Sequence, residues 1–371
     1  MKYVLISDPP APWREPVFEM VHRQLGDDFH VVYFGDREKR RLWSFRLGSH
    51  PKTVLPSVSV HLGDRGERFV NPGIVPFLLK HRPKIAICFG VYPTSLIAHL
   101  VLRVLGSKVI VFADTWLGRD TNLSVDQKIV RRIIYGTWGR TYIGASEQTL
   151  RMFRHYNKRA DHRAMFLSSL CADNDYFRSV LSGTLVQRRY DLLFCGRIVS
   201  TKNPLFFGTV VAEVRKRRGA CSVLVVGDGD EELKRRWFAD MEKNQVDYEY
   251  VGFVSHEQLP GYYAKARLLL LPTSGDCWGV VINEAMVSGV PVITTDRTAA
   301  AGELVMHEQN GYVLPLETQA WVNRICALLD DPNMLHRFSS RAREDVQRFN
   351  FARAAQGIVD AVRYVERTPA H

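Results

Sequence analysis

The sequence predicts an α/β protein built from two doubly wound, Rossmann-like domains. Short Val-, Ile- and Leu-rich runs alternate with helical patterns along most of the 371 residues, which is typical of parallel strands covered by helices on both faces. The runs fall into two series, each of a length usual for one domain. A polar stretch at 178–189 separates them. We therefore expect a first domain at 1–183, joined by a C-terminal helix at 352–371, and a second at 184–351.

The first series contains five predicted strands with helical patterns between several of them. These strands are 3–7, 30–34, 84–90, 108–114 and 140–146. The second series repeats the pattern more regularly. Its strands are 190–196, 221–229, 247–253, 267–273 and 290–296, with helices near 204–218, 230–243, 256–265 and 280–288. A final amphipathic helix follows Asn350, which can serve as its N-cap.

The positive charge is confined to the first half of the chain. Residues 1–185 carry 27 Lys and Arg against 16 Asp and Glu, whereas residues 186–371 carry 23 of each. Such asymmetry indicates partners, here an anionic membrane surface or a phosphate-bearing substrate. No nucleic-acid-binding motif is present. The segment 36–48 mixes Arg and Lys with Trp43 and Phe45, as interfacial segments do, although a solvated basic loop fits it too.

Cysteine usage and hydropathy favour a cytoplasmic protein, at most peripheral to the inner face of the membrane. The six cysteines are isolated from one another, which predicts buried, reduced thiols and offers no support for zinc or disulfides. No run reaches the roughly 18 apolar residues that span a bilayer, and the N-terminus lacks the long apolar core of a secretory signal.

Ligands of open α/β sheets bind beyond the carboxyl ends of the strands, so the residues there are the candidates. Arg197 and Lys202 follow one strand and form a pair of cations suited to a diphosphate. Gly227 and Gly229 follow the next, as a tight turn or as a place where a ligand approaches the backbone. Glu232 replaces the third glycine of a dinucleotide fingerprint, so NAD is not expected.

The most informative stretch runs from Thr273 to Asp296. Asp276 and Glu284 stand eight residues apart, which is about 12 Å on a continuous helix, comparable to the span of a nucleoside diphosphate sugar. Backbone N–H groups at the helix start would bind an anion. The residues expected in that first turn are Trp278, Gly279, Val280 and Val281. A helix cap at Asp276 and an exposed acid at Glu284 are the structural alternative.

These motifs occur in order and at suitable spacing, and together they resemble the C-terminal half of the retaining family 4 glycosyltransferases. They are "GRIVSTKNP", "VVGDGDEELKRR", the run from Tyr250 to Asp296, and "NGYVLP". The resemblance covers roughly Tyr190 to Phe351. It implies the GT-B fold, in which two Rossmann-like domains face a cleft. The family hallmark E-x7-E is present as Asp276-x7-Glu284, one methylene shorter at its first acid.

The resemblance also implies roles and partners. Arg197 and Lys202 would hold the diphosphate, Phe253 and Val254 would lie near the base, and Glu284 would bind the ribose. Asp276 would hold the donor sugar, and the amides of Val280 and Val281 the phosphate. The donor would be a nucleotide sugar, UDP-linked rather than GDP-linked, with no further cofactor and no metal.

The first half is less similar to that family. The loop after the first strand, "DPPAPWREP", has no glycine, and because Pro removes N–H donors, Arg14 is expected to supply positive charge there. Asp114 follows the strand "KVIVF", where many relatives carry a His. It is either an acceptor-hydroxyl or transition-state contact or a strand-end cap.

We therefore expect retaining, metal-independent transfer of a sugar to an acceptor hydroxyl, on a saccharide or lipid-linked saccharide used in surface polysaccharide or glycolipid synthesis. Two alternatives stay open. A sugar-nucleotide epimerase of similar fold would bind the same donor. A non-catalytic binding protein would bind it without turnover.

Overall fold

The structure is a computed structural model that describes residues 1–35, 47–61, 67–119, 123–183 and 187–368. The chain divides into two compact units. The first comprises Met1–Leu170 and Phe351–His371, and the second comprises Cys171–Asn350. Most of the basic segment 36–48 lies outside the described residues, so its interfacial role stays a prediction.

The first unit is organised around a parallel sheet with the order β3-β2-β1-β6-β7-β8-β9. A separate antiparallel pair, β4 and β5, accompanies it. The strands are β1 (Tyr3–Ser7), β2 (Phe29–Tyr33), β3 (Lys52–Val54), β4 (Val58–His61), β5 (Glu67–Val70), β6 (Ile85–Phe89), β7 (Lys108–Ala113), β8 (Thr141–Gly144) and β9 (Met165–Leu167).

The second unit has a parallel sheet with the order β12-β11-β10-β13-β14-β15. Its strands are β10 (Tyr190–Cys195), β11 (Ser222–Val226), β12 (Asp247–Gly252), β13 (Ala266–Leu271), β14 (Val292–Thr294) and β15 (Gly311–Val313). In each sheet the first strand lies in the interior: β1 lies between β2 and β6, and β10 lies between β11 and β13. The chain therefore adds strands on both sides of the first one, which is the doubly wound arrangement. The predicted fold class is confirmed.

Helices connect the strands in both units. They are α1 (Glu15–Leu25), α2 (Ile74–His81), α3 (Pro93–Val104), α4 (Val125–Arg131), α5 (Glu147–Tyr156), α6 (Asn174–Leu181), α7 (Pro204–Arg218), α8 (Glu231–Lys243), α9 (Leu259–Ala264), α10 (Val280–Val287), α11 (Thr318–Asp330), α12 (Pro332–Asp345) and α13 (Phe351–Arg367). A seven-residue π-helical segment, Arg132–Trp138, continues α4.

The units divide earlier in the chain than the 183/184 boundary expected from the polar stretch. The reason is α6, which packs against α9 and α10. Asn174 at the start of α6 also donates hydrogen bonds to the carbonyls of Val346 and Phe349 (3.2 and 3.0 Å). The polar stretch therefore follows an element that already belongs to the second unit.

The C-terminal helix α13 packs on α1, β8 and β9 and lies in the first unit. Gly357 allows this close approach, because a Cβ there would lie 1.7 Å from the carbonyl oxygen of Leu167. Lys2 and Tyr3 of β1 both contact Glu366 near the helix end. The last helix of the sequence thus completes the first sheet layer.

Aromatic packing fixes the sheet of the second unit beneath its loops. The ring of Trp237 is fully buried, with its centroid 4.9 Å from that of Phe194 on β10 and 5.6 Å from that of Phe207 on α7. Burying side chains of this size stabilises a fold by roughly 2 kcal/mol or more each. The end of β10 is therefore held rigidly, and the loop that follows it starts from a fixed point.

All six cysteines are free thiols, and only Cys277 is partly exposed. This agrees with the prediction of reduced cysteines. None of the helices within the described ranges has both the length and the low polarity that a membrane span requires.

Candidate functional site: strand ends of the second unit

The predicted site residues of the second half gather where β10 and β13 end. These two strands are hydrogen-bonded neighbours. After β10 the chain passes through α7 to β11, which lies next to β10 on the side away from β13, and after β13 it passes through α10 to β14, which lies on the opposite side. Such a reversal in strand order opens a crevice at the carboxyl ends of the strands. The loops 196–203 and 272–279 meet at this point.

Glycines bring the loop after β10 against the loop after β11. A Cβ at Gly227 would lie 1.9 Å from the carbonyl oxygen of Gly196, and one at Gly229 would lie 2.0 Å from that of Ile198. Two backbone hydrogen bonds join the loops as well. The N–H of Ile198 donates to the carbonyl of Asp228, and the N–H of Asp230 donates to the carbonyl of Ile198 (both 2.9 Å). The close approach expected at these glycines is therefore made by the protein itself. Contact of a ligand with them stays a prediction.

The loop after β10 is also joined to the loop after β13. The carbonyl of Thr201 accepts from the Ser274 N–H (2.9 Å) and from the Thr273 hydroxyl (3.1 Å). Asn203 donates its side-chain amide to the carbonyl of Pro272 (2.7 Å). These bonds hold residue 202 beside residue 276.

Lys202 and Asp276 form an ion pair at the centre of this arrangement. Their side chains are only 16% and 18% exposed. The sequence assigned Lys202 to a diphosphate and Asp276 to a sugar, and the structure places the two groups in direct contact. The backbone N–H of Asp276 donates to the carbonyl of Arg297 (2.9 Å), so the loop after β14 supports the pair as well.

Arg197 stands at the rim of the same loop. Its side chain is exposed, and within the described ranges it has neither a hydrogen bond nor an ion pair. Its loop is fixed through Ile198, while its guanidinium is available to an anion. A cation with this freedom suits a role that begins only when a ligand arrives.

Helix α10 begins at Val280, in line with the predicted range 280–288 but two residues later than the first turn expected from Trp278. Gly279 is its N-cap, with φ of +88°, and Val280 is its first residue. Trp278 precedes the helix. Its ring is fully buried, donates to Asn283 Oδ1 (2.7 Å) and packs on Phe349. Because the Trp278 side chain is part of the core, this residue could contact a ligand only through its backbone.

The helix start nonetheless has the character of an anion site. Val280 and Val281 are partly exposed, and the N–H groups of a first helical turn have no partners within the helix. The positive φ of Gly279 is a conformation that residues with a Cβ rarely adopt. The glycine thus allows the chain to turn directly from the loop into the helix.

Glu284 lies one turn further along α10 and is buried, with 7% exposure. It accepts a 2.7 Å hydrogen bond from the hydroxyl of Tyr263, whose oxygen is also 3.1 Å from Cys195 Sγ. Burial raises the pKa of Glu284, and the bond from Tyr263 opposes that rise. The alternative of an exposed helical acid at Glu284 is therefore wrong. Sequence reasoning missed Tyr263, since one of two adjacent tyrosines in a short helix carries no distinguishing signal.

The two residues assigned to the base differ in exposure. Phe253 follows β12 and is 43% exposed, whereas Val254 is 8% exposed. An exposed phenyl ring at a strand end can stack on a planar ligand. Their contact with a base stays a prediction.

In the first unit, Arg14 bridges two strand ends. Its guanidinium donates to Asp8 after β1 (2.7 Å) and to Asp114 after β7 (2.8 Å), and it lies 3.8 Å from the ring centroid of Phe89. Burial raises the pKa of Asp114, Arg14 lowers it and Asp8 raises it. Arg14 is 6% exposed and its charge faces two carboxylates. The positive charge expected from it for a ligand stays a prediction.

Residues 189–331 match the family model described as "Glycosyl transferases group 1". This range covers the strand ends and loops of the second unit described above.

Among curated proteins, the chain is similar to the alpha-D-kanosaminyltransferase of Streptomyces kanamyceticus, with 28% identity over 193 residues, 49% of this chain and 48% of that protein. It is also similar to the 2-deoxystreptamine N-acetyl-D-glucosaminyltransferase of Niallia circulans, with 29% identity over 135 residues, 35% of each chain. The chain thus spans half the length or less of these relatives.

Among solved structures, Anabaena Alr3699/HepE in complex with UDP aligns with a TM-score of 0.73 and 16% identity, over 98% of this chain and 100% of that one. The same protein in complex with UDP-glucose aligns with a TM-score of 0.71. At this identity the likeness shows the fold, two Rossmann-like domains of the GT-B type.

Proposed function

We propose that this chain, which carries a glycosyl transferases group 1 domain at 189–331, moves a sugar from a nucleotide-diphosphate donor to an acceptor hydroxyl. The observation that carries the proposal is the convergence of Lys202, Asp276 and the start of α10 at one strand-end crevice, with buried Glu284 one turn behind. Each group matches one part of a nucleotide sugar.

The donor would lie across the start of α10. The diphosphate would accept hydrogen bonds from Lys202, Arg197 and the amides of Val280 and Val281, where the helix dipole favours negative charge. The ribose hydroxyls would reach Glu284, and the sugar hydroxyls Asp276. Lys202 would leave Asp276 for the phosphate, and the freed carboxylate would accept from the sugar.

Catalysis would rest on stabilising the leaving nucleoside diphosphate. As the bond between the anomeric carbon and the phosphate oxygen breaks, negative charge would grow on that oxygen, beside Lys202, Arg197 and the start of α10. Removal of one such group costs about 100- to 1000-fold in rate. The donor phosphate would take the acceptor proton, and the new bond would keep the anomeric configuration. With two cations at the diphosphate, we expect the rate to be unchanged by EDTA.

A UDP-sugar is the favoured donor. HepE, which shares the fold, has been solved with UDP and with UDP-glucose. A thermal-shift panel of UDP-, GDP- and dTDP-sugars tests this, because a bound ligand raises the midpoint of unfolding in proportion to its affinity. We expect the largest rise with a UDP-sugar. A panel without any rise would contradict the proposed function itself.

For the acceptor we propose a saccharide or lipid-linked saccharide, reached at an anionic membrane surface in polysaccharide or glycolipid synthesis. The excess positive charge of residues 1–185 supports this. So does α4, where Val125 and Ile129 are 73% and 54% exposed beside the exposed cations Lys128 and Arg132. Flotation with vesicles of phosphatidylcholine, with and without phosphatidylglycerol, tests it. Equal flotation in both would end the membrane proposal.

A small polyhydroxylated or amine-bearing acceptor is the second candidate. One relative is named for transfer to 2-deoxystreptamine. In the first unit, Asp8 and Asp114 lie at two strand ends on either side of Arg14, and carboxylates accept hydrogen bonds from the hydroxyl or amine groups that such an acceptor carries. Transfer to soluble aminocyclitols without vesicles would select this acceptor class.

Enzyme assays separate transfer from the two alternative functions. Incubation with donor alone would yield an epimer if the protein were an epimerase. Release of nucleoside diphosphate that depends on acceptor, and is lost in Lys202→Ala and Glu284→Ala, would exclude both the epimerase and the non-catalytic binding protein.

A further inference from the structure

The hydroxyl of Tyr263 donates a hydrogen bond to the buried carboxylate of Glu284. Tyr263 lies in α9 and is fully buried, and its ring packs against that of Phe177 with centroids 6.1 Å apart. Its hydroxyl therefore has little freedom to turn away. Of the two carboxylate oxygens, Oε2 is the one bonded to Tyr263.

The carboxylate of Glu284 gives this hydrogen bond its direction. A tyrosine hydroxyl has one proton, and an ionised carboxylate only accepts, so the Tyr263 proton points to Glu284. The contact between Tyr263 Oη and Cys195 Sγ (3.1 Å) then has the thiol as donor. Burial raises the pKa of Cys195 to about 12, so the sulfur keeps its proton.

We propose that Tyr263 is a positioning residue that orients Glu284 to grip the ribose hydroxyls of the donor. The assignment rests on the proposed function. Bond formation at Oε2 fixes the rotation of the carboxylate, and the remaining oxygen, Oε1, is directed to the ligand. The tyrosine also offsets the cost of keeping a buried carboxylate ionised, because a hydrogen bond to a charged group is stronger than one between neutral groups.

A positioning role for Tyr263 and a role in core packing predict different effects on nucleotide affinity. A residue needed solely for packing would lower the affinity for any nucleotide to the same degree. A residue that acts through Glu284 changes affinity only when the ligand has ribose hydroxyls to be gripped. Removing those hydroxyls from the ligand must therefore remove the effect of the substitution.

The experiment uses titration calorimetry with UDP and GDP and with their 2′,3′-dideoxy counterparts. The proteins are the wild type, Tyr263→Phe, Glu284→Gln and the matched control Tyr262→Phe. Tyr262 is the preceding residue of the same helix and stacks with Lys265. Phenylalanine keeps the ring in both tyrosine variants, and thermal unfolding checks that each is folded at the titration temperature.

We expect Tyr263→Phe to weaken binding of the preferred ribonucleotide by about 5- to 20-fold, as the loss of one hydrogen bond to a charged group allows. The dissociation constant of Tyr262→Phe should stay within about twofold of the wild-type value, because this substitution removes no contact to Glu284. For the dideoxynucleotide, Tyr263→Phe and wild type should agree within about the same factor. The effects of Tyr263→Phe and Glu284→Gln should be non-additive in the double variant.

Two results would overturn the assignment alone: unchanged binding in Tyr263→Phe while Glu284→Gln binds more weakly, or an equal loss for the ribo- and dideoxynucleotides. A wild type that binds neither UDP nor GDP would instead overturn the proposed function, and the assignment with it.

Discussion

Lys202 and Asp276 are ion-paired across two loops that follow neighbouring strands of the second unit. The pair joins the cation expected at a diphosphate to the acid expected at a sugar. Both groups are largely shielded from water, so neither can be left without a partner at low cost. On the proposed function, a nucleotide sugar would give both groups a partner, whereas free nucleoside diphosphate would give one only to the lysine.

The first prediction follows from the lysine. Lys202→Ala should lower kcat/KM for the donor by about 100-fold or more, since it removes a group that stabilises the leaving diphosphate. Steady-state release of nucleoside diphosphate measures this. Lys216→Ala, on the exposed side of α7 where Lys216 pairs with Glu213, should leave the rate unchanged. A Lys202→Ala enzyme with near-normal kcat/KM would remove Lys202 from the mechanism.

The second prediction concerns the acid. Asp276→Asn frees Lys202, so the affinity for UDP should stay the same or increase. Transfer from the UDP-sugar should fall by about tenfold or more, the scale of one lost hydrogen bond to a charged group. Calorimetry with UDP and a transfer assay give the two values. A parallel loss of both would mean that Asp276 supports the phosphate site and not the sugar.

The third prediction concerns the loop contact at Gly229. Gly229→Ala should destabilise the protein by about 2 kcal/mol or more, because its Cβ would lie 2.0 Å from a backbone oxygen and the loops would have to separate. Chemical denaturation measures the free energy of unfolding. In Gly261→Ala the new Cβ meets nothing within 4 Å, and this helical position should gain about 0.5–1 kcal/mol. Equal effects would contradict the packing role.

The fourth prediction concerns pH. The pKa of Glu284 is raised in the folded protein above its ordinary value of 4.5, chiefly by burial. A raised carboxyl pKa means that the folded state holds the proton more tightly than the unfolded state, so this contribution to stability is lost as pH rises from below 4.5 through the raised pKa. Glu284→Gln carries no such titration.

The stability of Glu284→Gln relative to wild type should therefore increase between about pH 4 and neutrality, as linkage requires. Urea unfolding at several pH values measures it. Measuring both proteins at each pH cancels the titrating groups that they share. A pH-independent difference for Glu284→Gln would show that burial does not shift this carboxyl.

The regular elements were predictable because their patterns are local. Continuous apolar runs such as that of β10 and the pattern of α7, which the prediction matched from Pro204 to Arg218, have a clear period. The three-residue strands β3, β9 and β15 escaped prediction, since each is defined by pairing with a neighbour and too short to carry a period of its own.

The candidate site was predictable in composition and less so in its contacts. The positions of Lys202 and Asp276 after strand ends, and of Glu284 in the helix that follows, come from the alternation of strands and helices. The partners do not, because they depend on which strands are adjacent. Arg14 contacts both Asp8 and Asp114, and Asp114 is 100 residues away from it in the sequence. Tyr263 contacts Glu284 because α9 packs against α10.

A crystal structure of the protein with the nucleotide sugar that it binds best tests the central claim most directly. We expect Lys202 Nζ to have left Asp276 and to lie about 2.8 Å from a phosphate oxygen, with the diphosphate at the amides of Val280 and Val281. A complex in which Lys202 still contacts Asp276 and the diphosphate lies away from α10 would contradict the account.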